Sequence, residues 1–224
     1  MLSEAIGNLL PAAVGVGLSP IPIVAVILML GTPKARSNGP AFAIGWVLGL
    51  TVVCVVVLAV AGGADDPDST TSDSVHWLQI ALGLAFLAMA RRQWKKRPKR
   101  GEAPTMPKWM ETVDRFTPGR SFVFGVLLSA VNPKNLALTL AAGAAIAQAG
   151  LSAADDAIAV AVFVVIGSVS VAGLVVFSLL GGKHATRPLA SIKEFMEDHN
   201  AVIMMIVLLV LGAKLLGDGL PQLF

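Results

Sequence analysis

Four consecutive residues, Asn132-Pro133-Lys134-Asn135, stand in the middle of an apolar stretch running from Ser121 to Ala149. The lysine offers a full positive charge to an anion, and the amides offer both donors and acceptors. An Asn-Pro pair is also a helix start, with Asn132 as N-cap and Pro133 at the first helical position. The pattern predicts a helix broken inside a membrane span, its second half beginning near the bilayer midplane. A second break of this kind is expected at Ser19-Pro20-Ile21-Pro22, within Ala5–Leu30. Freed backbone groups are tolerated at membrane depth only where protein or a wet cavity satisfies them. Each break also exposes the start of a half-helix, whose partial positive charge suits anions.

Lys134 lies about 13 residues from either end of its span, roughly 20 Å along a helix and too far to snorkel out. A lysine at that depth costs about 2.5–3.5 kcal/mol on insertion scales. All 14 acidic residues fall in loops or near span ends, so no midplane carboxylate pairs with it. Its charge must be met by carbonyls at the broken helices, lost with its proton, or met by an anionic substrate. Two readings follow: a lysine that pins the break through carbonyls, and a cationic anchor for an anionic head group. On the second, Ser19, Pro20, Pro22, Ser129, Asn132, Pro133, Lys134, Asn135 and Thr139 form the candidate substrate-binding set. For Ser129 and Thr139, bonding to carbonyls of their own helix is the commoner use of such hydroxyls.

The elements that position these residues follow from composition. The chain has 224 residues, 55% hydrophobic and 14% charged, whereas soluble domains carry roughly 25% charged residues. That identifies an all-α integral membrane protein. Apolar segments run over 5–30, 41–61, 75–90, 121–149, 157–180 and 201–216. Four of them reach the roughly 20 residues that span hydrocarbon; the third and sixth are short and need flanking residues. Six transmembrane helices are therefore expected. The start, Met1-Leu2-Ser3-Glu4, lacks the basic region of a cleavable signal.

Loops 31–40, 91–120 and 181–200 hold fifteen Lys and Arg, while the alternate connections hold none, only acids such as Asp65, Asp66, Asp68, Asp73, Asp155 and Asp156. The positive-inside rule puts both termini outside. Within the basic loop, Met106, Trp109, Met110, Val113 and Phe116 recur at helical spacing, which predicts an interfacial helix on the cytoplasmic leaflet.

Gly15-Val16-Gly17-Leu18-Ser19 matches Gly125-Val126-Leu127-Leu128-Ser129 at four of five positions, and a proline follows both. The order of long and short spans also repeats. Three spans per copy make the second copy inverted, so the expected architecture is two inverted three-helix repeats with broken first helices, residues 1–90 and 121–224, joined by the basic loop 91–120. Inverted repeats with discontinuous helices mark transporters, with the site at the midplane. Ser168, Ser170 and the Gly45-x-x-x-Gly49 pair suit close helix packing, and that glycine face, together with the family resemblance given below, leans towards a homodimer. Cys54, the single cysteine, excludes disulfides and Cys-based metal sites and suits a small packing residue. Lys214 lies near the outer end of its span and is expected to snorkel. His76, His184 and His199 lie in or next to loops. No metal, cofactor or nucleic-acid partner is expected, and no enzyme activity.

The six spans, Ser-Pro-Ile-Pro at 19–22, Asn-Gly-Pro-Ala at 38–41 and Asn-Pro-Lys-Asn at 132–135 resemble the GAP family, the glycopeptidolipid- or sulfolipid-addressing proteins within the LysE superfamily of exporters. The resemblance implies an actinobacterial inner-membrane protein that helps move cell-envelope glycolipids outward, with Pro20, Pro22, Asn132, Pro133 and Lys134 as carried-over elements. Amino-acid exporters of the superfamily often have Pro-Gly-Pro at the first element, so Ser-Pro-Ile-Pro argues against an amino-acid substrate. One cysteine argues against thiol carriage. The expected function is outward transport of an anionic or polar amphiphile, in contact with membrane lipids. The alternatives are export of a small solute or ion, and a non-transporting accessory subunit of an envelope-lipid export machinery.

Overall fold

A computed structural model of the chain describes residues 1–62, 71–95, 97 and 108–219. Every regular element among them is helical. In chain order these are α1 (Leu2–Gly17), α2 (Pro20–Leu30), α3 (Ala35–Gly62), α4 (Thr71–Lys95), a 3₁₀ turn (Lys108–Arg115), α5 (Pro118–Val126), a π turn (Leu127–Val131), α6 (Pro133–Gln148), α7 (Ala153–Gly181), a 3₁₀ turn (Gly182–Ala185) and α8 (Thr186–Gly219). Asp65, Asp66, Asp68, Lys96, Lys99, Arg100 and Met106 lie outside the described residues.

The protein is membrane-embedded. Helix α3 and the run Ala153–Gly217 are long and apolar enough to cross a bilayer, and each bent pair, α1 with α2 and α5 with α6, qualifies as one more span. The bends are 49° and 62°. A run of 65 residues would reach about 98 Å as one helix, over three times the hydrocarbon thickness. It divides at Gly182, whose φ of +50° suits only glycine, into α7 and α8. Stretch 181–200, expected as a loop, is therefore largely helix. Leu189, Ile192 and Met196, spaced three and four apart, turn inward there and carry the helical pattern into the apolar run. The expected interfacial helix is a short 3₁₀ turn packed on α2, with Val113 fully buried.

The core holds Leu9, Ala13, Val16, Val26, Met29, Phe42, Trp46, Leu50, Leu138, Phe163 and Leu208, all buried. Three glycine seams bring helices to backbone contact across it. On α3 and α5, a Cβ at Gly45 would overlap the carbonyl of Phe122, and one at Gly125 the carbonyl of Phe42. On α1 and α7, a Cβ at Gly17 would lie 3.2 Å from the Ile166 carbonyl oxygen. On α4 and α8, Gly83 and Gly212 face each other's carbonyl oxygens at 3.1 and 3.0 Å. Each seam joins a helix before residue 96 to one after residue 117. Small residues suit membrane helix contacts because close approach supplies the dispersion that the hydrophobic effect cannot supply in lipid. Gly45 and Gly49 thus face α5 and the π turn of their own chain.

Side-chain bonds add to the seams. Trp46 donates from Nε1 to the Gly167 carbonyl at 3.3 Å, and Ser170 Oγ donates to the Gly17 carbonyl at 2.6 Å. Asn38 donates from Nδ2 to the Phe116 carbonyl at 3.1 Å, tying the start of α3 to the chain entering α5. Helix α2 packs along α8. Helix α6 stands off from α4, and a cavity of about 250 Å³ lies between them.

Candidate functional site: the crossing of the two broken helices

Helix α6 starts where the sequence places its start. Asn132 is the N-cap, its side-chain oxygen accepting from the Lys134 backbone N–H at 3.1 Å, and Pro133 is the first helical residue. The preceding π turn ends with Asn132 N–H donating to the Leu127 carbonyl at 3.1 Å, five residues back. At the other break Pro20 and Pro22 open α2 and are buried. Ser19 occupies the N-cap, but its hydroxyl does not cap. It donates instead to Asn135 Oδ1 at 2.8 Å, across 116 residues of sequence.

The two breaks therefore meet. Lys134, only 3% exposed, donates from Nζ to Ser19 Oγ at 2.6 Å and to the Gly15 carbonyl at 2.7 Å. Asn135, fully buried, donates from Nδ2 to the Leu128 carbonyl at 2.9 Å. Residues 15, 19, 128, 134 and 135 thus make one hydrogen-bonded cluster linking four segments. The Gly15 carbonyl belongs to the last turn of α1, where the helix dipole is negative and a cation is favourable. Lys134 consequently caps a half-helix C-terminus with its side chain while its own backbone sits in the first turn of another. Its acceptors are neutral, and a lysine has three N–H groups.

The half-helix starts are poorer in donors than the sequence suggests. Pro20, Pro22 and Pro133 carry no N–H. Lys134 N–H is taken by the Asn132 side chain, Ile23 N–H by the Ser19 carbonyl and Leu136 N–H by the Asn132 carbonyl. The Lys134 side chain is the basic group at the crossing.

The remaining members of the candidate set divide. Ser129 Oγ donates to the Val126 carbonyl at 3.1 Å and Thr139 Oγ1 to the Asn135 carbonyl at 2.8 Å, so both hydroxyls serve their own helices. Pro133 is exposed on the outside of the bundle. Ser19 and Ser129 share a sequence word but not a position: the first is an N-cap, the second lies inside the π turn three residues before its N-cap. Gly15 and Leu128, which contribute carbonyls, are the members that sequence reasoning missed. The signal for Gly15 was the expectation that carbonyls at a break would meet the buried charge.

Comparison with known proteins adds one match. The family model described as Sap, sulfolipid-1-addressing protein, covers residues 9–221. No curated protein and no solved structure matches the chain. A match over nearly the whole length, taken with the broken-helix crossing, leads to one conclusion: the chain belongs to the sulfolipid-1-addressing protein family.

Proposed function

We propose that this chain exports an anionic or polar cell-envelope lipid, with Lys134 as the group that its head group engages. The observation that carries this reading is a buried lysine whose hydrogen-bond acceptors among the described residues are neutral, placed where two broken helices cross. A sulfated head group would replace the Gly15 carbonyl and the Ser19 hydroxyl as the partner of Nζ. It would supply the countercharge that a desolvated ammonium lacks. The lysine would be a latch: closed onto α1 when the site is empty, opened by the anion.

The same proposal makes the fold a six-span member of the LysE superfamily, two inverted three-helix repeats with both termini outside the inner membrane. Three features support it. Division of the run Ala153–Gly217 at Gly182 makes α7 and α8 two spans, and α4 would be the sixth. The α1–α7 and α5–α3 seams are the pair that an inverted repeat would make twice, and the α4–α8 seam is the contact it would make with itself. The unequal fit of α2 on α8 and α6 on α4 is the asymmetry that alternating access would exchange. The apolar lining of the cavity favours an amphiphile over a small polar solute.

A second reading has its own observation. Lys134 already caps the C-terminus of α1, which suits a purely structural pin. Proteoliposomes carrying a fluorescent sulfated glycolipid in one leaflet separate the two. Wild-type protein should expose the probe to an added quencher faster than empty liposomes. Lys134→Met, keeping the stem and losing the charge, should insert normally and move none. A variant that transports like wild type overturns the latch, and one that fails to accumulate favours the pin.

A further inference from the structure

Helices α3 and α7 meet where Trp46 bonds to the Gly167 carbonyl. Beyond that contact, towards the end of α3 and the start of α7, a groove of about 610 Å³ opens between them. Ala153, Ala157 and Ala161 of α7, one turn apart, leave the room, and the buried Val160 and Val164 form the bed. Thr51, a polar residue on the α3 side, spends its hydroxyl on the Val47 carbonyl. The exception to this apolar, satisfied lining is Asp156, in the first turn of α7. Its Oδ1 is buried and meets no donor, whereas the neighbouring Asp155 accepts from Ser152 Oγ at 3.1 Å. No ion pair among the described residues reaches Asp156. The connections at this end, 63–70 and 149–152, contain no Lys or Arg to supply one. The groove is thus apolar along its length, with an unmatched carboxylate at its head.

We propose that this groove seats one acyl chain of a phospholipid whose ammonium head group pairs with Asp156. The site stands apart from Lys134, and the proposal does not rest on the export reading. Size admits a whole chain. A methylene takes up about as much room as a water, ~30 Å³, so about 610 Å³ takes roughly twenty of them. Length agrees. Asp156 and Val165 lie nine residues apart on α7, roughly 14 Å along the helix, which is about half of a hydrocarbon core of ~30 Å. A chain hung from the membrane surface at Asp156 would therefore end near the midplane. Charge selects the head group. An ammonium brings both the countercharge and the N–H donors that the carboxylate lacks. A choline head group brings the charge without donors, and a glycerol head group leaves the lipid anionic and repelled.

Photolabelling tests it with the full chain in phosphatidylcholine nanodiscs. The probe is a phosphatidylethanolamine whose acyl chain carries a diazirine, and peptides are mapped by mass spectrometry after irradiation. Labels should concentrate on 153–165, above the level on the exposed Val123, Leu127 and Val131 of the opposite half of the chain. The same probe built on phosphatidylglycerol should label the groove about fivefold less, the ratio that one partly exposed ion pair gives. Asp156→Asn should bring the phosphatidylethanolamine probe down to that level. Ala157→Phe and Ala161→Phe fill the groove at two depths. Each should lower groove labelling by about tenfold, the loss expected when two methylenes can no longer be buried, and leave labelling at 123–131 unchanged. Two substitutions are used so that one misfolded variant leaves the other. Groove labelling no stronger than that at 123–131, or undiminished in a folded filling variant, overturns the chain seat. Equal labelling of wild type by the two probes, or a preference that survives Asp156→Asn, overturns the head-group assignment. Groove labelling that vanishes when two copies share one nanodisc gives the groove to a second copy and overturns the lipid as its occupant.

Discussion

Lys134 Nζ and Ser19 Oγ stand 2.6 Å apart although 115 residues separate them in the chain. The serine hydroxyl accepts from the lysine and donates to Asn135, so one small side chain joins both residues of the second break to the first.

Ser19→Ala should therefore weaken the fold more than the loss of an ordinary serine. It leaves Lys134 with the Gly15 carbonyl alone and Asn135 with an unpaired buried oxygen. A cost of about 1–3 kcal/mol is expected for the stranded groups. Thermal unfolding in detergent measures it, and Ser19→Thr, which keeps the hydroxyl, should recover most of the loss. Equal melting of wild type and Ser19→Ala would show that the relay contributes nothing.

Asn132→Ala removes the acceptor for the Lys134 backbone N–H. The N-cap loss should cost about 0.5–2 kcal/mol, and Asn132→Asp should restore the cap with a half-buried negative charge beside Lys134. The expected order of melting temperature is wild type first, with alanine below it. An alanine variant as stable as wild type would mean that Pro133 alone sets the helix start.

Gly125→Ala places a methyl group on the backbone of α3 at Phe42 and Trp46. Backbone cannot rotate away as a side chain can, so a loss of about 1–3 kcal/mol or more is expected. Gly7→Ala is the control: nothing lies within 4 Å of its Cβ, and in a helix the change should be neutral or stabilise by up to about 1 kcal/mol. Accumulation in the membrane and detergent melting should rank Gly7→Ala above wild type and Gly125→Ala well below.

The topology proposal is checked by reporter fusions after Gly101 and Phe224. A phosphatase should be active only at Phe224 and a fluorescent reporter of the cytoplasm only at Gly101. Fluorescence at Phe224 would remove the outside termini and the inverted repeat together.

Much of the crossing was legible because proline, asparagine and lysine contradict an apolar span by their chemistry alone. Asn132 and Pro133 fall where capping rules put them. The partners of Lys134 were not legible. Which carbonyl and which hydroxyl meet a lysine depends on how two spans cross, and no local pattern in Gly15 or Ser19 encodes that. The π turn over Leu127–Val131 was equally hidden, since nothing in Leu-Leu-Ser-Ala-Val departs from ordinary helix composition. Gly45 and Gly49 were legible only in part. A small-residue stripe states that a backbone comes close, but it is silent on whether that backbone belongs to the same chain.

The crossing also has an electrical side. While Lys134 holds its proton, a buried unit charge would feel the field of an energised membrane, with no carboxylate among its hydrogen-bond partners in the described residues. A full crossing is worth about 2.3 kcal/mol per charge at 100 mV, so a shift of Lys134 by one helical turn, 5.4 Å of a hydrocarbon core of about 30 Å, is worth about 0.4 kcal/mol. Opening the latch towards one face or the other would then respond to voltage. An anion leaving from a negative interior would gain the larger amount over its whole path, with the lysine's charge left behind to receive the next.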